Sequence, residues 1–209
     1  MNALDFIKRV RFDFNDLDKD RVDDAIILDY LNEGLRELFK LNPKLFLKTV
    51  VAKLVDGDLQ TPCCCDLLHS IEAITDENGN FISDIKHIDN RASVAFNKKQ
   101  CESKERRSYQ RVKGTDNQFV VKPPISPNEN VSVRLLCSIK PKKIDIHSNF
   151  SDEILEHYGL LVDYVLYRLY GAETESVSSQ NKSAMHYKQF TEVMLATEKV
   201  RSSFVSEGE

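Results

Sequence analysis

Three consecutive cysteines, Cys63, Cys64 and Cys65, with His69 close by, have the greatest capacity for chemistry in this sequence. In a β-strand Cys63 and Cys65 would point to one face, because side chains alternate between faces. That arrangement supplies two thiolates and one imidazole, whereas a structural zinc ion needs four ligands. The sequence therefore favours cysteines that act as small hydrophobic residues. A metal or thiol enzyme built on this segment is the weaker alternative.

An acidic run places Asp16, Asp18 and Asp20 at alternating positions, as in a calcium loop. An EF-hand would then need glycine at its sixth position and glutamate at its twelfth. Arg21 and Ile27 occupy those positions. The run is predicted to be a solvated linker with an acid that caps the following helix.

The motifs of nucleotide binding and hydrolysis are missing from the sequence. The seven glycines lie too far apart for a dinucleotide or phosphate-binding loop. The sequence has no nucleophile elbow, no H-E-x-x-H pair and no C-x-x-C motif, and its five histidines are scattered. We therefore expect no enzyme, no catalytic residues, no cofactor and no bound metal.

A basic segment, residues 98–113, contains seven lysines and arginines together with Tyr109. Such a segment could contact nucleic-acid phosphates, and the alternative function is a cytoplasmic α+β nucleic-acid-binding module. Against it, 33 Asp and Glu outnumber 29 Lys and Arg, which gives a net charge of −4. Proteins that grip phosphates usually have the opposite balance. An exposed hairpin or loop is the favoured interpretation.

Composition and length set the class of protein. At 209 residues with 41% hydrophobic and 30% charged residues, the chain can bury a core without disulfides or metals. Five cysteines, three of them adjacent, form a poor disulfide framework and favour a reducing compartment. The N-terminus does not resemble a signal peptide, and no stretch approaches the length of a membrane span. We expect a soluble intracellular protein without membrane contact.

Helical periodicity marks both ends of the chain. It predicts helices over residues 1–12 and 22–41 near the N-terminus. Toward the C-terminus, one helix begins at Ser151 and closes at Gly171, and a last helix runs from Ser176 to Arg201.

Between the helices, residues 46–146 have the alternation and turn residues of β structure. Asn78-Gly79 predicts a type I′ hairpin turn. Residues 118–122 and 131–139 predict another hairpin, with Val131, Val133, Leu135 and Cys137 facing the core.

The predicted fold class is α+β, with a four-helix bundle formed by the N- and C-terminal helices and a central antiparallel β insert. The predicted domains are a helical bundle of residues 1–45 and 147–209 and an antiparallel β domain of residues 46–146.

Three segments, in order, resemble head-to-tail adaptor proteins of short-tailed phages, the tail tubular protein A class. The first is Asp24-Ala-Ile-Ile-Leu-Asp-Tyr-Leu-Asn-Glu-Gly-Leu-Arg-Glu-Leu38. The second is Phe119-Val-Val-Lys-Pro-Pro124, followed by residues 131–136 and Pro141. The third is a closing helical hairpin, residues 160–170 with Asp163 and Arg168, then residues 184–190. Residues 63–113 match least well.

The resemblance implies a virion structural protein at the portal–tail junction, made in the host cytoplasm. It would form a dodecameric ring between the portal protein and the tail nozzle protein, around the channel for DNA ejection. Passing DNA would be contacted only non-specifically. The expected portal-binding residues lie in the C-terminal tail and are Lys199, Val200, Arg201, Phe204 and Val205. A frayed chain end is the alternative interpretation of this tail.

Overall fold

The computed structural model describes residues 1–88, 107–173 and 176–206, with side chains described as far as Met194 in the last helix. The helices are α1 (Ala3–Phe14), α2 (Asp24–Leu41), α3 (Asp152–Glu156), α4 (Tyr158–Ala172) and α5 (Val177–Ser206). The strands are β1 (Leu47–Lys53), β2 (Gly57–Gln60), β3 (Leu67–Thr75), β4 (Phe81–Ser83), β5 (Lys86–His87), β6 (Ser108–Arg111), β7 (Phe119–Ile125) and β8 (Ser132–Ser138). A 3₁₀ turn, Pro43–Phe46, leads into β1. None of these described helices has the length and apolar character needed to cross a membrane.

The chain divides into two compact units, a helical unit (Met1–Leu45 with Pro141–Glu209) and a β unit (Phe46–Lys140). In the helical unit, α4 is the central element and packs against α1, α2 and α5. Its side chains Leu161, Val165 and Leu169 are buried. Asn2, just before α1, forms an antiparallel β-bridge with Asn149, just before α3. Residues from both ends of the chain therefore share one core.

Two four-stranded sheets form the β unit, in the orders β1-β8-β3-β4 and β2-β7-β6-β5. Strand β8 lies between β1 and β3, and both pairs are antiparallel. Its residues Val133, Leu135 and Cys137 are fully buried, which confirms the positions predicted to face the core, but Ser132 and Ser138 at the two ends of the strand are buried as well. Strands β5 and β6 pair in parallel.

The predicted four-helix bundle with a central antiparallel β insert is wrong. The described chain has five helices and two separate sheets, one of them mixed. The helix predicted from Ser151 is broken at His157, whose backbone angles (φ −107°, ψ 14°) depart from helical values, so that α3 and α4 are distinct. α4 is buried on several sides, and the other long helices pack around it instead of forming four equal members of a bundle.

The predicted hairpin around residues 76–80 is present, because β3 and β4 pair antiparallel, but its turn is of another type, and the second predicted hairpin is absent. Strands β7 and β8 belong to different sheets, since β7 pairs with β2 and β6. At residues 76–80 only Gly79 has a positive φ (84°), so the turn is not type I′. Instead, Asp76 accepts hydrogen bonds from the amides of Asn78 and Asn80 at 2.9 and 2.8 Å. The hydrogen bonds from Asn80 hold the pKa of Asp76 below its usual range.

Candidate interaction surfaces

The helical hairpin of α4 and α5 is held by a ladder of aromatic and polar contacts. Tyr164 lies 5.2 Å from Phe190, and Tyr167 lies 4.8 Å from Tyr187, measured between ring centroids. Ser183 Oγ donates a hydrogen bond of 2.9 Å to the carbonyl of Tyr167. Aromatic pairs at these distances add stability beyond the area that they bury. The described part of α5 is therefore fixed firmly to α4.

Asp163 and Arg168, two residues of the third resembling segment, connect α4 to its neighbours. Asp163 Oδ1 lies 2.8 Å from His186 Nδ1 on α5. Arg168 pairs with Glu33 on α2, and its guanidinium lies 4.7 Å from the ring centroid of Tyr30. Burial raises the pKa of the neighbouring Tyr164 to about 12. Asp163 and Arg168 therefore hold α4 to α5 and α2, and their role is structural.

The last third of α5 extends past α4. At about 1.5 Å per residue, the 30 residues of α5 span roughly 45 Å, whereas the 15 residues of α4 span roughly 22 Å. Because Tyr164 faces Phe190, the first residue of α4 is level with about residue 196 of α5. The helix continues to Ser206, beyond the end predicted at Arg201. The expected portal-binding residues therefore lie on a helical backbone past α4.

The side chains of Lys199, Val200, Arg201, Phe204 and Val205 lie outside the described residues. Their sequence spacing is nevertheless regular. Val200 and Phe204 are four positions apart, as are Arg201 and Val205. On a helix, residues four apart are neighbours on the surface.

Large apolar side chains are exposed on other helices of the same unit. Phe12 on α1 is 67% exposed and Leu17, just after α1, is 64% exposed. Ile26 on α2 and Met185 on α5 are exposed as well. Single exposed apolar residues are normal, but several on one unit provide contact area for protein partners.

The acidic run has a structural role that differs from the prediction of a solvated linker. Asp16 is buried and receives the Arg11 guanidinium at 2.6 Å. The same guanidinium reaches Asp24 at 2.6 Å. Burial disfavours ionisation of Asp24, but hydrogen bonds from Lys19 and Arg11 outweigh it and lower the pKa of Asp24. The network fixes the connection between α1 and α2.

The cysteine segment contains a disulfide that was not expected from the sequence. Cys65 is bonded to Cys137 on β8, although 72 positions separate them. Cys63 and Cys64 are free thiols, and burial raises the pKa of Cys64. His69 Nε2 lies 2.7 Å from Ser138 Oγ. Within the described ranges, no group of three or more His, Cys, Asp or Glu side chains could hold a metal ion.

The basic segment is described only from residue 107, so residues 98–106 lie outside the described part of the chain. Arg107 pairs with Glu129. Tyr109 is buried, and its hydroxyl accepts a hydrogen bond of 3.1 Å from the amide of Ile71. A buried tyrosine cannot stack on a base, so the described residues do not favour the nucleic-acid-binding alternative.

The family model for the SU10 adaptor protein matches residues 1–205. Because this match spans nearly the whole chain, the protein belongs to the SU10 adaptor family, a family of phage adaptor proteins. It is therefore a structural component of a virion and associates with other phage head and tail proteins. No curated protein matches the chain at a significant level.

Proposed function

We propose that this protein is the head-to-tail adaptor that forms a ring between the portal and the tail nozzle. The ring would be a dodecamer around the channel through which DNA leaves, as in the tail tubular protein A class. The single observation that carries the proposal is the length of α5, whose C-terminal turns extend past the end of α4.

A ring requires two different surfaces on each protomer that meet around a closed rotation. The exposed apolar side chains of the helical unit, Phe12 and Leu17 among them, supply contact area for such an interface. The aromatic ladder between α4 and α5 keeps the geometry of each protomer constant, which a closed ring needs.

The portal contact is assigned to Lys199, Val200, Arg201, Phe204 and Val205. Apolar residues one turn apart on a helix are suited to a groove on a partner protein. Each such contact is weak alone, but repetition around a ring produces high avidity.

The charge of the helical unit suits a channel that lets DNA pass. This unit has 15 Lys and Arg against 21 Asp and Glu, whereas the β unit has 14 against 12. A strongly basic wall would hold the phosphates of the genome. Contact with passing DNA would therefore be non-specific and weak.

The experiment is co-sedimentation of the full chain with purified portal rings. Phe204→Ser combined with Val205→Ser is expected to weaken association at least tenfold. Met185→Ser is the matched control, because Met185 is an exposed apolar residue of the same helix beside α4. Equal binding by the double variant, the control and the wild-type chain would refute the portal contact. Native mass spectrometry of the complex is expected to show twelve copies.

A further inference from the structure

Four cysteines lie together in the β unit, at the segment that precedes β3 and on β8. Cys65 and Cys137 form the disulfide, and the free thiols Cys63 and Cys64 directly precede Cys65 along the chain. A thiolate beside a disulfide can attack one of its sulfurs and form a new disulfide with it. The cluster therefore combines a disulfide with two thiols that could exchange with it.

The disulfide itself is inaccessible to solvent. Cys65 is 3% exposed and Cys137 is 0% exposed, and both belong to the apolar core of the β unit. The backbone around Cys65 is also fixed, because Asn117 Nδ2 donates a hydrogen bond of 2.8 Å to its carbonyl. At the next residue, the carboxylate of Asp66 accepts a hydrogen bond of 2.9 Å from the amide of Lys140. A dissolved thiol therefore cannot reach either sulfur of the disulfide while the β unit is folded.

The two free thiols differ in exposure. Cys63 is exposed, whereas Cys64 is half-buried and packs against the core of the β unit. Burial raises the pKa of the Cys64 thiol, so little of it is ionised at neutral pH. Because the thiolate is the nucleophile, Cys64 is a poor attacking group. Cys63 is the thiol that a dissolved reagent can reach.

The spacing along the chain also favours Cys63 over Cys64. A relaxed disulfide needs Cα atoms about 4.4–6.8 Å apart, whereas adjacent residues are separated by about 3.8 Å. A bond between Cys64 and Cys65 would therefore be strained. Residues two positions apart are separated by at most about 7 Å. Cys63 and Cys64 form a turn, which shortens the distance from Cys63 to Cys65.

We propose that Cys63 is an exchange thiol, through which dissolved thiols and disulfides of the glutathione type open and close Cys65–Cys137 without unfolding the β unit. In the opening direction, the Cys63 thiolate attacks Sγ of Cys65. The Cys63–Cys65 bond forms, the Cys65–Cys137 bond breaks, and Cys137 leaves as a thiolate that takes up a proton. A dissolved dithiol then reduces the Cys63–Cys65 bond and is itself oxidised to a disulfide. Closing is the reverse sequence, with a small disulfide as the oxidant.

Loop length determines which of the two disulfides accumulates. Cys65–Cys137 spans 72 positions, whereas Cys63–Cys65 spans only two. A disulfide that closes a longer loop stabilises a folded chain more. The Cys63–Cys65 bond is therefore a short-lived intermediate, and the amount of dissolved thiol decides whether the β unit keeps its disulfide. This exchange does not rest on the proposed function.

The test measures how fast dithiothreitol reduces Cys65–Cys137 in the folded full chain. The parent chain carries Cys101→Ser, which removes the fifth cysteine. Samples are quenched with acid, alkylated in denaturant and analysed by mass spectrometry. Cys63→Ser is expected to slow reduction by at least about tenfold, because it removes the attacking thiolate. Cys64→Ser is the matched control and should change the rate by less than about twofold.

Two further measurements separate exchange from unfolding. Cys63→Ser should unfold at the same urea concentration as the parent chain, since the Cys63 side chain is exposed. Cys137→Ala removes the favoured partner of Cys65. After treatment with oxidised glutathione, this variant should contain a disulfide between Cys63 and Cys65.

Equal reduction rates for the parent chain and Cys63→Ser would overturn the proposal. Slow reduction of Cys64→Ser alone would make Cys64 the attacking thiol and would also overturn it. So would a reduction rate that rises with urea in proportion to the unfolded fraction, because solvent would then reach the sulfurs by unfolding. A different disulfide in Cys137→Ala would contradict the proposed intermediate. None of these results depends on portal binding, so they leave the proposed function unaffected.

Discussion

Gly34 marks the closest approach between α2 and α4, and replacing it by alanine should destabilise the helical unit. A Cβ at this position would lie 2.9 Å from Tyr164 Cδ1, 3.2 Å from Tyr164 Cγ and 3.4 Å from Leu161 Cδ2. The Tyr164 ring cannot move away easily, because it is buried and packs against Phe190 and Tyr167. The added carbon must therefore push the two helices apart or distort the aromatic ladder.

The expected magnitude follows from two opposing effects. Alanine in a helix interior is favoured over glycine by about 1 kcal/mol. Overpacking of a filled core costs about 1–3 kcal/mol. We expect Gly34→Ala to lower the free energy of unfolding of the helical unit by about 1 kcal/mol. Gly159→Ala on α4 is the matched control, because a Cβ at Gly159 would have no neighbouring atom within 4 Å. The control should raise stability by about 0.5–1 kcal/mol.

Urea unfolding followed by tyrosine fluorescence measures the stability of the helical unit in both variants. The chain has no tryptophan, and Tyr109 is the one tyrosine of seven that belongs to the β unit. The signal is therefore dominated by the helical unit. A Gly34→Ala variant as stable as Gly159→Ala, or more stable than the wild-type chain, would refute the close packing of α2 on α4.

Three other predictions concern a buried amide, a carboxylate and the disulfide. Asn32 exchanges hydrogen bonds of 2.9 and 2.7 Å with the backbone of Ile144, so Asn32→Ala should destabilise the helical unit by about 2–4 kcal/mol in urea unfolding. Asp24 has a lowered pKa, so its stabilising effect is present above its unfolded-state pKa and is lost as pH falls through the lower folded value. Between pH 6 and about pH 2, the free energy of unfolding should fall less steeply for Asp24→Asn than for the wild-type chain. Reduction of Cys65–Cys137, which closes a loop of 72 residues, should lower the stability of the β unit by about 4 kcal/mol, and Cys65→Ala should make stability insensitive to the reductant. A urea midpoint equal to that of the wild-type chain would contradict the prediction for Asn32→Ala, and equal midpoints with and without reductant would contradict the one for the disulfide. If the stability of Asp24→Asn and of the wild-type chain changed with pH in parallel, the prediction for Asp24 would be wrong.

Local patterns predicted the helices better than the strand pairing. The period of apolar residues located α1, α2 and α5 to within a few residues, except for the C-terminal end of α5. Alternation alone identified Val133, Leu135 and Cys137 as core residues of β8, but it did not predict the burial of Ser132 and Ser138. Both signals depend on neighbours along the chain, so a sequence contains them directly.

Contacts between distant residues could not be read from the same patterns. Strands β7 and β8 look like a hairpin because they are consecutive, yet each pairs with other strands. The Cys65–Cys137 bond joins the segment just before β3 to strand β8, so it depends on which strands pair. Cysteine count and spacing contain no information about that pairing. The burial of Tyr109 likewise depends on the sheet around it, and the basic segment alone did not reveal it.

The portal contact of the C-terminal tail stays a prediction. The sequence predicted that the last helix ends at Arg201. The continuation of α5 to Ser206 gives the expected portal-binding residues a helical backbone.

The most direct test of the adaptor account is electron cryomicroscopy of the full chain mixed with portal rings. The account predicts twelve copies in a closed ring, with the C-terminal turns of α5 against the portal and an open channel on the axis. A ring that meets the portal through the β unit, or a chain that stays unbound while other tail proteins attach to the portal, would contradict it.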